Sequence, residues 1–305
     1  MLPPGIGLTL WDSAGHADPR RYLANDAVVS LLRRARPEIV QIHAGPSALA
    51  QHGPEATARL GAALGYVPRV WWGVALDWAP RASDHTKVAR DMAKCAKQAE
   101  GAGAEMIVWN AESAWKAEGD ADDRLARAIV ETTRAFSSIA QGLTSFDVPG
   151  LHSDFAWRAW AGPGGVDVLL PQMYAGAGVL DGRFAPRGAL RARMQRSYAD
   201  IAAAQKRGLI GPNAQVIAYV QAHHVPASQT ATELLDVPGA CLWAAPSRID
   251  SDGRTALLAL CEGRRRGYGG RPGEAARFVH DLGCADSPSD RVVGPKALRA
   301  LGVLP

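Results

Sequence analysis

The chain has 305 residues, of which 47% are hydrophobic, and a formal net charge of +4. This length and composition are ample for the core of one large domain, or of one domain with a small appendage. The charge is too small to indicate nucleic acid or any other acidic polymer as a partner, and the four cysteines lack the Cys-x-x-Cys spacing of a zinc site or a disulfide framework.

The amino terminus reads Met-Leu-Pro-Pro-Gly-Ile-Gly, without a basic segment followed by an apolar stretch. We therefore expect no secretory signal. No apolar run approaches the roughly 18 residues that a membrane-spanning helix needs. These features predict a soluble chain that is made in the cytoplasm and has no membrane partner.

Short strand-like runs alternate with amphipathic helical stretches along most of the chain. The strand candidates are Ile6–Trp11, Ile39–His43, Val70–Asp77, Met106–Asn110, Gly142–Phe146, Val166–Tyr174, Gln215–Gln221 and Ala240–Ala244. The helical candidates are Asp26–Arg36, Pro54–Leu64, His85–Ala102, Asp122–Gln141, Ser153–Trp160, Gly188–Arg207, Ser228–Leu235 and Asp252–Arg266. Several strand candidates are apolar throughout, as is typical of strands covered on both faces.

The number and order of these elements predict an α/β fold, the (β/α)8 TIM barrel. Eight strand-then-helix units within about 265 residues fit this fold. The competitor, a doubly wound open sheet, normally has a Gly-rich turn after its first strand. Here the chain continues after Leu10 as Trp11-Asp12-Ser13. We predict the barrel over residues 1–267, and a linker with a short helical appendage over residues 268–305.

Polar and aromatic residues concentrate at the predicted carboxyl ends of the strands, where barrels of this kind carry their chemistry. In chain order they are Trp11, Asp12, His43, Asp77, Trp78, Asn110, Glu112, Asp147, Gln172, Tyr174, Gln221, His223, His224 and Trp243. Trp71 and Trp72 are expected in the core. The tryptophans near the strand ends, Trp11, Trp78, Trp109, Trp115 and Trp243, predict an aromatic-lined groove that binds substrate together with Gln172.

Glu112 is the strongest catalytic candidate. It follows an apolar strand, where a carboxylate must be solvated, paired or functional because burying an unpaired charge is costly. Partial burial beside Trp109 or Trp115 would raise its pKa and allow it to act as an acid near neutral pH. The alternative is a structural ion pair with an arginine across the mouth of the barrel.

The second catalytic group decides the mechanism of a glycosidase. A retaining enzyme with a protein nucleophile needs a second carboxylate about 5 Å away, and an inverting enzyme needs one at about 6.5–9.5 Å. Asp12, Asp77 and Asp147 are the available partners. Otherwise the 2-acetamido group of the substrate is the nucleophile. Asn110 lies on the same side of the strand as Glu112 and would orient that group, and Tyr174 would donate a hydrogen bond to its oxygen.

Metal and cofactor chemistry is not indicated by any motif in the chain. His223 and His224 are neighbours, so on a strand their rings point to opposite faces. There is no His-Glu-x-x-His motif, no Gly-x-Ser-x-Gly elbow and no Walker loop. His16, His43 and Asp12 remain the one set that could assemble a metal site in space. We predict no metal and no cofactor.

Three short motifs resemble known glycoside hydrolases. Asn110-Ala111-Glu112 resembles the Asn-x-Glu of family 85 endo-β-N-acetylglucosaminidases and the end of the catalytic motif of family 18 chitinase-like barrels, whose earlier aspartates are absent here. Gln172-Met173-Tyr174 resembles the sixth-strand Met-x-Tyr of family 18. Leu242-Trp243 resembles the tryptophan that forms the floor of the cleavage subsite. Family 25 lysozymes are similar at a greater distance, with Asp-x-Glu in place of Asn-x-Glu.

The carboxyl-terminal segment resembles part of a second module. Residues 290–298 read Asp-Arg-Val-Val-Gly-Pro-Lys-Ala-Leu, similar to the signature of three-helix peptidoglycan-binding modules, and Ala275–Gly283 resembles the helix before it. The resemblance covers about half of such a module. The alternative is a terminal helix docked on the barrel. Peptidoglycan as the substrate fits both the barrel and this tail.

These features together predict a peptidoglycan hydrolase. We expect Glu112 as acid/base, Asn110 and Tyr174 as acetamide-positioning groups, and Asp12 and Asp77 as second-rank carboxylates. Trp243 is expected to form the floor of the subsite. A wall hydrolase without a signal suggests phage lysis, with release by a partner or delivery on a particle. A two-carboxylate muramidase and a non-catalytic carbohydrate-binding barrel remain as alternatives.

Overall fold

The computed structural model describes residues 2–3, 5–115, 120–146, 155–174, 189–221, 223–246, 249–284 and 293–304, and its nine strand segments form one closed parallel sheet. The segments are β1 Ile6–Trp11, β2 Ile39–Ala44, β3 Arg69–Ala75, β4 Met106–Asn110, β5 Ala140–Phe146, β6 Val168–Gln172, β7 Gln215–Val216, β8 Ala218–Gln221 and β9 Ala240–Pro246. Both β7 and β8 pair with β6, so they share the seventh position of the ring. Pairing of β5 with β6 and of β9 with β1 closes the sheet, which confirms the predicted (β/α)8 barrel.

Helices surround this sheet on its outer face. They are α1 Ser13–Ala17, α2 Asp26–Ala35, α3 Pro46–Leu64, α4 His85–Gly101, α5 Asp120–Phe136, α6 Trp157–Ala161, α7 Ala189–Lys206, α8 Ala227–Leu235, α9 Ser251–Arg265, α10 Glu274–Asp281 and α11 Pro295–Ala300. Short 3-10 turns lie at Pro19–Ala24, Ala79–Arg81 and Ser113–Trp115. In the described residues no helix is both long enough and apolar enough to cross a membrane.

The third helix is longer than its sequence predicts. Proline favours the first turn of a helix, which made Pro54 the expected start, but α3 begins at Pro46 and contains Pro54 in its interior. The helix packs closely on the barrel at this point, because a Cβ on Gly53 would lie 2.5 Å from the ring of Trp72. Packing on the sheet compensates for the helical hydrogen bond that Pro54 removes.

The strands separate two apolar clusters. The larger cluster lies between sheet and helices and contains outward-facing strand residues such as Leu8, Trp72 and Trp109. The smaller one fills the barrel and contains Trp71 and Met106. Because side chains alternate along a strand, every second residue faces the barrel interior, which places Asn110 and Gln172 there, above the inner cluster. The core position predicted for Trp71 and Trp72 is confirmed, since both are fully buried.

The carboxyl-terminal helices pack against the barrel. Phe278 of α10 and Leu298 of α11 are buried and belong to the larger cluster. The backbone N–H of Val293 donates to the Thr232 hydroxyl of α8 over 2.9 Å, and that of Ala275 donates to Asp236 over 3.0 Å. The described part of the tail therefore shares the hydrophobic core of the barrel. Asp290 to Val292, the first part of the module-like motif, lie outside the described residues.

Candidate active site

Glu112 lies at the carboxyl end of β4 and is held by two side-chain amides. The Nε2 of Gln172, at the end of β6, donates a hydrogen bond of 2.7 Å to the Oε1 of Glu112. The amide of Asn110 also donates to this carboxyl group. Three of the predicted site residues, from two different strands, therefore meet at one point on the rim of the barrel.

The surroundings of Glu112 favour its protonated form. Burial is the largest cause and raises the pKa of its carboxyl group; the hydrogen bond from Gln172 opposes this, and the negative charge of Asp77 raises the pKa further. Among the described residues Glu112 forms no ion pair. The arginine partner considered in the sequence is therefore not present in that part of the chain, and burial is the largest cause of the raised pKa of the Glu112 carboxyl group.

The two second-rank aspartates have different positions. The Oδ1 of Asp77 accepts a hydrogen bond of 3.0 Å from the backbone N–H of Glu112, so Asp77 is part of the same site and is exposed to solvent. Asp12 instead caps α1 by accepting a hydrogen bond from the backbone N–H of Gly15. The described contacts do not bring Asp12 to Glu112. Asp147 lies outside the described residues.

Three aromatic rings pack beside one another on the other side of the rim. The ring of Trp243 lies 5.4 Å from Trp11 and 5.8 Å from Tyr219, measured between centroids, and Trp243 is only partly buried. Trp78 is 43% exposed, next to Asp77 in sequence, and its indole N–H donates to the carbonyl of Ala75. Trp11, Trp78 and Trp243 therefore have surface that a ligand can reach at the rim.

The structure corrects the prediction for Trp115. This residue is fully buried and packs against Trp160, with ring centroids 4.9 Å apart. Its indole N–H donates to the carbonyl of Leu76 over 3.0 Å. Trp109, the other groove candidate of this strand, is also fully buried, on the outer face of the sheet. Both tryptophans stabilise the core and do not line a groove.

Buried polar residues inside the barrel were not recognised as a group in the sequence. Within the described chain, Gln41, His43, Asn110 and Thr144 carry buried polar atoms without a hydrogen-bond partner. They face the interior from β2, β4 and β5. The two-residue alternation of each strand was the signal that would have found Thr144, which lies two residues before the predicted end of its strand.

His43 is a deeply buried titratable group near the site. It is 2% exposed and its ring meets the ring of Trp243 edge-on, at 5.4 Å and 87°. Burial, and to a lesser extent the charge of His16, lowers the pKa of His43 to about 3. Gly73 makes room for this side chain, because a Cβ there would lie 2.7 Å from the imidazole. His43 is therefore a neutral support beneath Trp243.

The set predicted as a possible metal site, His16, His43 and Asp12, is brought together only in part. No group of three or more His, Cys, Asp or Glu side chains among them could hold a metal ion. His16 and His43 do approach each other, with ring centroids 6.2 Å apart, but Asp12 is engaged in capping α1.

The fold and the strand-end position of the site define the class of protein as a (β/α)8 barrel. Similar solved structures include dihydrodipicolinate synthase from Agrobacterium tumefaciens (12% identity, 99% of this chain and 98% of that chain, TM-score 0.45). They also include a glucosidase from Croceicoccus marinus (12% identity, 84% of this chain and 65% of that chain, TM-score 0.47). A chitinase from Ipomoea carnea is similar at the same level (11% identity, 85% of this chain and 99% of that chain, TM-score 0.47). These values are too low to say anything about activity, since one barrel fold hosts many chemistries. No protein-family model matches the chain, and no curated protein matches it.

Proposed function

We propose that the protein is a glycoside hydrolase that cleaves N-acetylhexosamine linkages of peptidoglycan. The observation that carries this proposal is the setting of Glu112: a carboxyl group at the strand ends, without an ion-pair partner in the described chain, whose pKa is raised by burial and by Asp77. Such a group is suited to protonating a glycosidic oxygen near neutral pH. Exposed and half-buried tryptophans at the same rim supply surfaces for stacking on sugar rings.

The proposed mechanism is substrate-assisted and retaining. Glu112 donates its proton to the leaving oxygen while the acetamide oxygen of the substrate bonds to the anomeric carbon. Asn110 accepts a hydrogen bond from the acetamide N–H and Tyr174 donates one to its oxygen, which orients the nucleophile. Glu112, now ionised, then takes a proton from the water that opens the ring intermediate. Trp243 would form the floor of this subsite, and neither a metal nor a cofactor is needed.

Asp77 favours a second candidate mechanism. Its carboxylate touches the backbone of Glu112, so two acidic groups lie at the same point of the rim. A muramidase of the lysozyme type would use Asp77 as nucleophile or base. Rescue of a Glu112→Ala variant by azide, together with the stereochemistry of the products, separates this mechanism from the substrate-assisted one.

Peptidoglycan as the polymer is supported by the tail motif at residues 290–298. The tail helices pack on α8 and α9 of the barrel, so wall binding would be a property of the whole molecule. We propose that the protein reaches the wall after release from the cell or delivery on a phage-like particle. A non-catalytic wall-binding barrel would sediment with purified walls but release no sugar.

The test is release of reducing sugar from purified peptidoglycan, with the new reducing end identified by mass spectrometry. We expect Glu112→Gln to lose activity by at least about a hundredfold, because general acid catalysis contributes roughly 10²–10⁴. Glu131→Gln is the matched control, since Glu131 is exposed on α5, away from the strand ends. Equal activity of the wild type and Glu112→Gln would refute the assignment of the acid.

A further inference from the structure

Asn110 and Thr144 lie side by side on the inner surface of the barrel. They are paired residues of β4 and β5, so their backbones are about 4.8 Å apart. Both are inward-facing by the alternation that places Met106 and Val108 of β4, and Ala140 of β5, in or against the inner cluster. The Oδ1 of Asn110 and the Oγ1 of Thr144 are buried, and both are without a hydrogen-bond partner in the described chain.

The hydrogen bond between Gln172 and Glu112 spans this pair. Glu112 lies two residues beyond Asn110, the last residue of β4. Gln172 of β6 is in register with Phe146, two residues beyond Thr144. The bond therefore runs from β4 to β6 across β5, one side-chain layer above Thr144. By this register the bond lies above the level of the two unpaired oxygens.

Two unpaired polar atoms at this depth are a costly arrangement unless a partner is supplied. An orphaned buried donor or acceptor costs about as much as its lost solvation. The pair offers one acceptor, the carbonyl oxygen of Asn110, next to one donor, the hydroxyl of Thr144. A secondary amide presents the complementary N–H and C=O.

We propose that Asn110 and Thr144 form a binding notch for a secondary amide, closed by the Gln172–Glu112 hydrogen bond, which breaks when the amide enters. Resting on the proposed function, the amide is the 2-acetamido group of the substrate, and Thr144 is a substrate-positioning residue. The carbonyl oxygen of an amide has two lone pairs, so Thr144 and Tyr174 can both donate to it in the bound complex. The hydrogen bond from Thr144 is released when this oxygen bonds to the anomeric carbon. The neighbour of Thr144 in β6 is Leu170, an apolar residue next to the acetamide methyl group.

Opening of the notch also prepares the acid. The hydrogen bond from Gln172 lowers the pKa of Glu112. Its loss removes a contact that favours the ionised form, so the pKa of Glu112 rises as the substrate binds. Substrates without the amide leave the Gln172–Glu112 bond in place, so the pKa of Glu112 stays lower and a smaller fraction of its carboxyl groups carries the proton to be donated.

The experiment measures calorimetric binding of tetra-N-acetylchitotetraose and of deacetylated chitotetraose. It uses the full chain in the Glu112→Gln background, where the ligand is not consumed and the new side-chain amide keeps an oxygen that can accept the hydrogen bond from Gln172. Thr144→Val removes the hydroxyl at nearly constant shape and Thr144→Ser retains it. Thr133→Val is the matched control, because Thr133 is fully buried on α5 and its hydroxyl also lacks a partner in the described chain.

We expect Thr144→Val to weaken binding of the acetylated oligomer about tenfold, the size of one hydrogen bond, and to leave the deacetylated oligomer unaffected. Thr144→Ser and Thr133→Val should bind as the parent does. Gln172→Met should bind the acetylated oligomer more tightly, because no bond has to break. The notch is refuted if Thr144→Val leaves the affinity for the acetylated oligomer unchanged, or lowers the affinity for both oligomers equally. The closing role of Gln172 is refuted if Gln172→Met binds the acetylated oligomer no more tightly than the parent does.

Two further measurements, of stability and of peptidoglycan hydrolysis, distinguish an effect on amide binding from effects on folding and on catalysis. In the absence of ligand Thr144→Val should be at least as stable as the parent, since it deletes a hydroxyl that has no partner. If peptidoglycan is not hydrolysed but acetylated binding depends on Thr144, the proposed function fails and the amide notch stands. If peptidoglycan is hydrolysed through Glu112 but Thr144→Val binds the acetylated oligomer as tightly as the parent does, the notch fails alone.

Discussion

Replacing His43 by Gln tests whether its imidazole is held neutral beneath Trp243. The folded protein keeps the pKa of His43 near 3, against an ordinary value of 6.5 for the free side chain. Between these two values the unfolded chain binds a proton that the folded chain does not bind. Stability therefore falls as the pH drops below about 6.5 and levels off below the folded pKa.

The size of the effect follows from the two protonation states. At pH 5 the unfolded imidazole is almost fully protonated and the folded one almost fully neutral, so this residue alone costs about 2 kcal/mol of stability relative to pH 8. The assay is urea denaturation at several pH values between 8 and 5. We expect the loss in the wild type to exceed that in His43→Gln by about 2 kcal/mol.

We compare how the free energy of unfolding changes with pH, and not its value at one pH, because His43→Gln also changes packing against Trp243. His52→Gln, the same substitution at a half-buried position on α3, is measured beside it for comparison. Parallel curves for wild type and His43→Gln would refute the reasoning, since they would mean that the buried imidazole takes up its proton without unfolding.

Two further predictions concern the tail and the acid. Phe278→Ala should lower the free energy of unfolding by about 3–5 kcal/mol, as for a buried Phe, within the single urea transition of the barrel. The control Phe136→Ala changes a side chain that is 58% exposed and should lower it little. A separate early transition for Phe278→Ala would contradict a shared core. Asp77→Asn keeps an acceptor for the backbone of Glu112 but removes the charge that raises its pKa. The alkaline limb of the pH–activity profile should therefore move to lower pH, and an unmoved limb would show that Asp77 does not tune the acid.

The sequence was informative where periodicity carried the information. The bounds of β1 and β4 agree with the predicted strands, and α9 agrees within a residue at each end. Apolar runs bounded by polar residues are the strongest signal for strands covered on both faces. The position of Glu112, just beyond such a run, followed directly from it.

Side-chain direction beyond the end of a strand could not be derived in the same way. Trp115 lies near the rim in sequence, but the 3-10 turn Ser113–Trp115 carries its ring to the outer face, against Trp160. The hydrogen bond between Glu112 and Gln172 depends on the relative height of β4 and β6, which is set by barrel closure and not by either segment. The tail was also ambiguous, because a glycine-rich stretch such as Gly267–Gly273 is typical of linkers, yet it leads into helices that share the barrel core.

Ring closure has a consequence for biosynthesis. β1 pairs with β2 on one side and with β9 on the other, Ile6 being in register with Ala240. While the chain emerges from the ribosome, β1 therefore keeps one open edge until nearly the whole barrel has been made. Contacts this distant in sequence fold slowly, and unpaired edges invite pairing with other chains. We therefore expect newly made chains to need chaperones until β9 has paired with β1. Once this pairing has closed the sheet, the edge of β1 is no longer exposed.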